Sequence, residues 1–265
     1  MVIDFHTHAF PDTLATRAID SLCKNRGYMF TPCHDGTLCG LKSNMQKFGV
    51  DMSVVQPVVT KPSHTKTTNE WAAEITNGKD ILSFGGIHPH TDDYKRDINF
   101  VCSLGLRGIK LHCEYQDFKI DDPFMLKIYD YAFSKGLIIL QHAGFDPAFS
   151  EPFRSSPEMF ARVAKEMKGG IMIAAHFGGG RQWDMVEKHL VGTSIYLDTS
   201  MGQEYYPPEQ FVRIVNNHGA DKILFGSDSP WSKADYELEH IRSSALTNEQ
   251  KELILGKNAE RLLGL

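Results

Sequence analysis

Short apolar runs bounded by turn residues punctuate the chain. Eight of them begin near Val2 (VIDFHTH), Met52 (MSVVQPV), Ile81 (ILSFGGIHP), Leu106 (LRGIKLH), Leu137 (LIILQHA), Gly170 (GIMIAAHFG), Thr193 (TSIYLDTS) and Lys222 (KILFGSD). Several are apolar at successive positions rather than at alternate ones, the pattern of parallel strands covered on both faces. After the first, the starts recur every 23 to 33 residues. The intervals carry apolar residues three and four apart, which predicts amphipathic helices over Asp122–Lys135, Pro157–Lys168 and Pro208–Asn217. Pro123, Pro157 and Pro208 stand where a first helical turn accepts proline.

Eight strand–helix units in about 250 residues predict an α/β fold, a (β/α)8 barrel of the TIM type. The rival, a doubly wound open sheet, would carry a Gly-rich phosphate loop after its first strand. Here that strand runs into His6-Thr7-His8-Ala9-Phe10-Pro11 instead. No Pro/Gly/Ser-rich linker and no shift of composition divides the chain, so one domain over residues 1–265 is expected. The long first connection, about residues 9–50, reads as an elaborated loop. It holds a helix near Asp12–Asn25, an irregular stretch near Gly27–Gly40 and a second helix near Leu41–Phe48.

Composition narrows the function. The 265 residues are 42% hydrophobic and 23% charged, a soluble globular balance. Lys plus Arg is 28 against 33 Asp plus Glu, a net charge of -5, so phosphate backbones and anionic lipid have no general attraction for the chain. Neither nucleic acid nor membrane is expected as a partner; a small-molecule substrate is. The five cysteines form no paired zinc spacing and read as reduced thiols. With no basic, apolar leader and no apolar run near ~20 residues, a cytoplasmic location is expected.

The polar residues are informative through their positions. His6, His8, His88, His90, His112, His142 and His176 lie at or just after the ends of expected strands, as do Lys110, Asp198 and Asp228. In a parallel barrel all strand C-terminal ends face one rim, so these groups converge. Residues two apart on a strand point to one side, so His6 and His8 can reach one ion. His142 and His176 follow apolar runs, and Asp228 follows another; a buried carboxylate needs a partner, and a cation serves. Nitrogen and oxygen donors without thiolate suit Zn2+ first, with manganese, iron or nickel open.

These motifs resemble the amidohydrolase superfamily, and within it the amidohydrolase-related group that includes aminocarboxymuconate-semialdehyde and γ-resorcylate decarboxylases. The resemblance rests on the first-strand His-x-His, RGIKLHCEYQDFKIDDPF with LIILQHAG, FGSDSPW and the closing GKNAERLLGL, and so spans essentially the whole chain. It departs at Cys113, where relatives often carry proline. It implies His6, His8, His142 and Asp228 as ligands of one divalent metal, with His176 beside the activated water. In binuclear relatives a carboxylated lysine bridges two ions; Lys110 and His176 would serve a second metal. A homodimer also follows only from resemblance.

A divalent ion lowers the pKa of a bound water from 15.7 to about 7. Asp228 can take and return a proton and His176 can steady an oxyanion, which makes hydrolysis of an amide, lactone or ester the main expectation. The alternative keeps the metal and cleaves a C–C bond, as a non-oxidative decarboxylase of an unsaturated or aromatic carboxylate. A TatD-type DNase or phosphoesterase shares the His-x-His and Gly86-Ile87-His88-Pro89, but carries a glutamate where this chain offers Lys110 and His112. A barrel kept only for binding would have lost ligands that are present here. Lys110, His112, His88 and Arg181 are candidates for substrate binding, Asp198 for orienting a ligand histidine, and Trp231 and Tyr205 for lining the pocket. Cys33, His34 and Cys39 lack an apparent fourth ligand for a second metal site, and His64, His189, His218 and His240 read as surface residues.

Overall fold

Runs that are apolar on both sides cannot face water on either, and the chain solves this by rolling them into a cylinder. In the computed structural model, residues 1–25, 27–167, 169–201 and 206–265 are described. The strand segments are β1 (Ile3–Thr7), β2 (Met52–Val55), β3 (Ile81–Ser83), β4 (Gly85–Gly86), β5 (Gly108–Leu111), β6 (Ile138–Gln141), β7 (Ile171–Ala174), β8 (Tyr196–Asp198) and β9 (Ile223–Leu224). All pair in parallel, in the orders β1-β2-β3 and β4-β5-β6-β7-β8-β9. β3 and β4 are one stave interrupted at Phe84, whose N–H still donates to Val55 O at 2.9 Å. The last stave returns to the first: Phe5 N–H donates to Phe225 O and Asp228 N–H to His6 O, each at 2.8 Å. A parallel bridge joins Thr7 to Ser229. The fold is the expected α/β barrel.

The helices are α1 (Asp12–Asn25), α2 (Leu38–Phe48), α3 (Thr65–Ile75), α4 (Tyr94–Ser103), α5 (Cys113–Gln116), α6 (Pro123–Ser134), α7 (Pro157–Glu166), α8 (Trp183–His189), α9 (Pro208–His218), α10 (Ala234–Ser243), α11 (Asn248–Glu252) and α12 (Asn258–Leu263). Proline opens α6, α7 and α9 as the sequence predicted. None of the described helices is long and apolar enough to cross a membrane. α2 begins at Leu38 rather than Leu41, because Thr37 caps it by accepting from Gly40 N–H at 2.9 Å. α7 ends at Glu166, short of the expected Lys168, which lies outside the described residues.

Alternation along the staves sorts the core into two layers. Ile139, Ile109 and Leu111 pack outward among the helices. Ile138, Leu140, Phe5, Val54 and Phe84 fill the cylinder, which Ala259 and Leu263 of α12 also help to pack. In β1 the pairing register shifts between Asp4 and Thr7. Ile3 and Phe5 point into the filled interior, and after the shift His6 and His8 line the open end. A bulge that re-aims side chains beside a site is a recurrent device. Without it, strict alternation would place Phe5 and His6 on opposite sides.

His218, expected at the surface, is buried at the end of α9. Its Nε2–H donates to Ile195 O at 2.7 Å and its Nδ1 accepts from Gly192 N–H at 3.2 Å. Burial lowers its pKa to about 4. The unfolded chain therefore binds the extra proton between about pH 6.5 and 4, so stability falls as pH drops through that window, by roughly 3 kcal/mol for this residue. His218→Gln is expected to flatten that acid limb, read as the urea midpoint measured against pH.

Candidate metal centre and its cavity

The ends of the staves bring the histidines together in a graded network. Asp198, at the end of β8, accepts from His6 Nδ1–H at 2.9 Å and from the backbone N–H groups of His176 and Ser200 at 3.1 Å. That bond fixes the His6 tautomer and leaves its Nε2 lone pair facing the mouth. There His6 Nε2 lies 3.3 Å from Asp228 Oδ1 and 3.0 Å from Lys110 Nζ, and His8 Nε2 lies 3.0 Å from the same Asp228 oxygen. Asp198, a candidate from sequence for orienting a ligand histidine, is thus hydrogen-bonded to His6.

The ionisation of these groups follows from burial and neighbours. Burial, helped by the Lys110 ammonium, lowers the His6 pKa to about 4. Burial likewise lowers Lys110 to about 8, against the pull of Asp228 and Asp198. For Asp198 burial works in the opposite sense, yet His6 and the Ser200 hydroxyl overrule it and hold the carboxyl at about 2. Asp228 is held well below the ordinary carboxylate range, with His6 and His8 overcoming its burial. The floor of the cavity is therefore an ionised carboxylate between imidazole nitrogens.

His6, His8 and Asp228 offer ligand atoms that all lie within 4.8 Å of one another, a group able to hold a metal ion. The donors are two imidazole nitrogens and a carboxylate oxygen, a set that suits Zn2+ or Mn2+. His142, expected in the same set, falls instead in a second group of this kind with His112 and Asp146. Its Nδ1 is 3.0 Å from His176 Nε2, so His176 stands between it and the His6 side. The His112 and His142 rings stack at 4.0 Å, and His112 Nε2 lies 3.3 Å from Asp146 Oδ2. Asp146 was missed in the sequence, although it follows His142 by four residues in QHAGFD.

Backbone strain concentrates here. Asp228 has φ 64°, and His176 and Phe177 have φ 55°. Such left-handed residues persist only where their surroundings over-determine them, and they cluster at functional sites. Gly226, between β9 and Asp228, is needed for space: an added Cβ would stand 2.9 Å from His6 Cβ and 3.4 Å from Asp198 Cβ. Gly226→Ala is expected to pry His6 from Asp198, costing roughly 1–3 kcal/mol of stability. A urea titration measures it.

Above the floor is a cavity of about 350 Å³. The first loop contributes Phe10, Leu14, Leu22 and Phe30, while Trp71, Trp183 and Trp231, the three tryptophans of the chain, complete apolar walls. Ile19 and Cys23 of α1 pack on Trp231, with Phe10, Leu22 and Met201 beside them, so the first connection roofs the barrel mouth. Lys110 and His112 reach the cavity, and Arg181 lines its rim with its guanidinium 4.1 Å from the Phe145 ring.

Two expectations are corrected, for His88 and for the histidines read as surface. His88 does not line the cavity: its turn is held by Gln116, which donates to Val59 O and Ile87 O at 2.8 Å, and its Nδ1 accepts from His90 N–H. Cys33, His34 and Cys39 form no metal group among the described residues; His34 Nε2 bonds Ser229 Oγ at 3.0 Å, and Cys39 is exposed. Of the four histidines read as surface, His64 is exposed, His189 and His240 are half-buried and His218 is interior. The Gly178–Gly180 run serves close packing, since a Cβ on Gly144 would meet Gly180 N at 2.5 Å. Tyr205 lies outside the described residues.

The amidohydrolase family model matches residues 3–265. No curated protein matches the sequence. Among solved structures the chain is similar to 5-carboxyvanillate decarboxylase LigW from Sphingomonas paucimobilis, at 15% identity and TM-score 0.72, covering 100% of this chain and 99% of that one. It is similar to an uncharacterized TIM-barrel protein from Bordetella bronchiseptica, at 20% identity and TM-score 0.78, covering 99% and 98%. A third is 5-carboxyvanillate decarboxylase LigW2 from Novosphingobium aromaticivorans with bound manganese and 3-methoxy-4-hydroxy-5-nitrobenzoic acid, at 12% identity and TM-score 0.72, covering 100% and 97%.

Proposed function

The chain belongs to the amidohydrolase family, and from that premise we propose that it is a metal-dependent decarboxylase of a small aromatic carboxylate. Hydrolysis, the main expectation from sequence, is the reading this replaces. The observation that carries it is the cavity, whose polar floor of His6, His8, Lys110 and Asp228 stands under walls of aromatic and aliphatic side chains. Loss of CO2 disperses a localised carboxylate charge into a ring, and an apolar, water-poor chamber favours that change. A hydrolase needs water at the reacting carbon, which such walls oppose. The likeness in fold to decarboxylases of ring carboxylates supports the same choice.

His6, His8 and Asp228 would hold the divalent ion, and His142, in the neighbouring group with His112 and Asp146, would complete the ligand set only by turning from His176. A bound divalent cation supplies Lewis acidity, polarising substrate oxygens and offsetting anionic charge. Asp198 keeps His6 in the tautomer that presents Nε2. Lys110 Nζ at the floor and Arg181 at the rim attract the anionic end of the substrate. When the C–C bond breaks, the electron pair stays on the ring carbon and CO2 leaves. That carbon takes up one proton from solvent in place of CO2, relayed by Asp228 and His176, which both line the cavity.

The test is a panel of carboxyl-labelled hydroxybenzoates, including 5-carboxyvanillate, offered to Mn2+-loaded protein. Labelled CO2 is expected, with one solvent deuterium on the ring in D2O. Turnover of esters, lactones or amides with oxygen uptake from labelled water, and no CO2 from any acid, would restore the hydrolytic reading. Elemental analysis of the purified protein identifies the ion.

A further inference from the structure

We infer that His34, in the loop between α1 and α2, is a positioning residue for Asp228, so that the roof of the cavity is also part of the support of the metal centre. The inference rests on the reading of Asp228 as a metal ligand.

The hydrogen atoms can be placed by elimination. Gly36 N–H donates to His34 Nδ1 at 3.1 Å, so that nitrogen is bare and Nε2 carries the hydrogen. His34 Nε2–H then donates to Ser229 Oγ at 3.0 Å. Asn44 Nδ2 in α2 donates to the same oxygen at 3.4 Å. Cys33 adds three further ties: its N–H donates to Pro230 O at 2.8 Å, its thiol to Ser232 O at 3.2 Å, and its sulfur lies 3.6 Å from Ser229 Oγ. Burial lowers the His34 pKa to about 4, which keeps the ring neutral and its tautomer fixed. Residues 33, 34 and 44 thus grip residues 229, 230 and 232.

The grip falls next to the strained position. Asp228 has φ 64°, a left-handed conformation that bonds on both flanks help to hold. On the barrel side they are: Asp228 N–H donates to His6 O at 2.8 Å, His8 N–H to Ser229 O at 2.6 Å, and Ser229 N–H to Ser227 Oγ at 3.0 Å. Those bonds hold the main chain from one side. The Ser229 side chain is held by Cys33, His34 and Asn44 of the first connection. Removing His34 takes away the shortest of these bonds and leaves the Ser229 hydroxyl with the longer contacts of Asn44 Nδ2 at 3.4 Å and Cys33 Sγ at 3.6 Å.

The experiment is equilibrium dialysis of the whole chain with Mn2+ alone, for wild type, His34→Ala, His34→Gln and Ser229→Ala, with Asp228→Ala marking which ion is counted. His34→Ala and Ser229→Ala are expected to weaken Mn2+ binding about 10-fold, the low end for losing a group that orients a ligand. His34→Gln, whose amide N–H reaches the same oxygen, is expected to bind within about 2-fold of wild type, which a general loosening of the loop would not produce. Unchanged affinity in His34→Ala overturns the inference, as does a glutamine variant as weak as the alanine one. If His34→Ala does not fold, Ser229→Ala decides alone, because it leaves the loop's own residues intact. A wild type that takes up no Mn2+ overturns the metal-centre reading and this inference with it; binding in wild type with no effect of the loop variants overturns this inference only.

Discussion

Asp228→Asn is expected to lower turnover by roughly 10²- to 10⁴-fold, the range associated with losing a positioned proton-transfer group. Two roles fail together. The amide keeps the size of the carboxylate but offers its neighbours no negative charge, and Asp228 Oδ1 is the atom that both His6 Nε2 and His8 Nε2 approach, at 3.3 and 3.0 Å. Metal uptake therefore drops along with kcat. The measurement pairs steady-state kinetics at saturating Mn2+ with metal content after dialysis. If excess Mn2+ restores wild-type turnover, Asp228 is a ligand only and the proton passes elsewhere, with His176 next to be tested.

Asp198→Ala is expected to be the most destabilising single change at the site, by about 3–5 kcal/mol, as for other buried charged partners removed alone. The fully buried carboxylate receives His6 Nδ1–H and the backbone N–H groups of His176 and Ser200, and alanine leaves all three without it. Each abandoned donor carries its own desolvation cost. Free of Asp198, His6 also loses the bond that selects its tautomer, so metal affinity falls by roughly 10–100-fold. Urea unfolding of the metal-free protein gives the first quantity and Mn2+ dialysis the second. A loss of affinity without a loss of stability would mean that the backbone N–H groups find other acceptors.

The barrel was legible because its signal is local. Apolar runs and helical periodicity are properties of neighbouring residues, and α1 falls on the expected Asp12–Asn25. The site was legible to the extent that strand ends share one rim: His6, His8, His142, His176, Lys110 and Asp228 all line the same cavity. What escaped depends on partners distant in sequence. The register shift in β1 is set by its pairing with β2 and leaves no mark in IDFHT. His88 was misjudged because a position after a strand does not fix the direction of the turn, which Gln116 decides. The burial of His218 comes from Ile195 O and Gly192 N–H, more than twenty residues away. The grouping of Asp146 with His112 and His142 joins loops of neighbouring staves, a proximity that spacing alone does not encode.

The three tryptophans of the chain all stand in the cavity wall. The tryptophan emission of the protein, excited at wavelengths that tyrosine does not absorb, is consequently the emission of one chamber. A nitro-substituted or hydroxylated ring acid that seats there quenches or shifts that light whether or not it reacts. Candidate ligands can therefore be ranked by simple optical titration, ahead of any assay for a product.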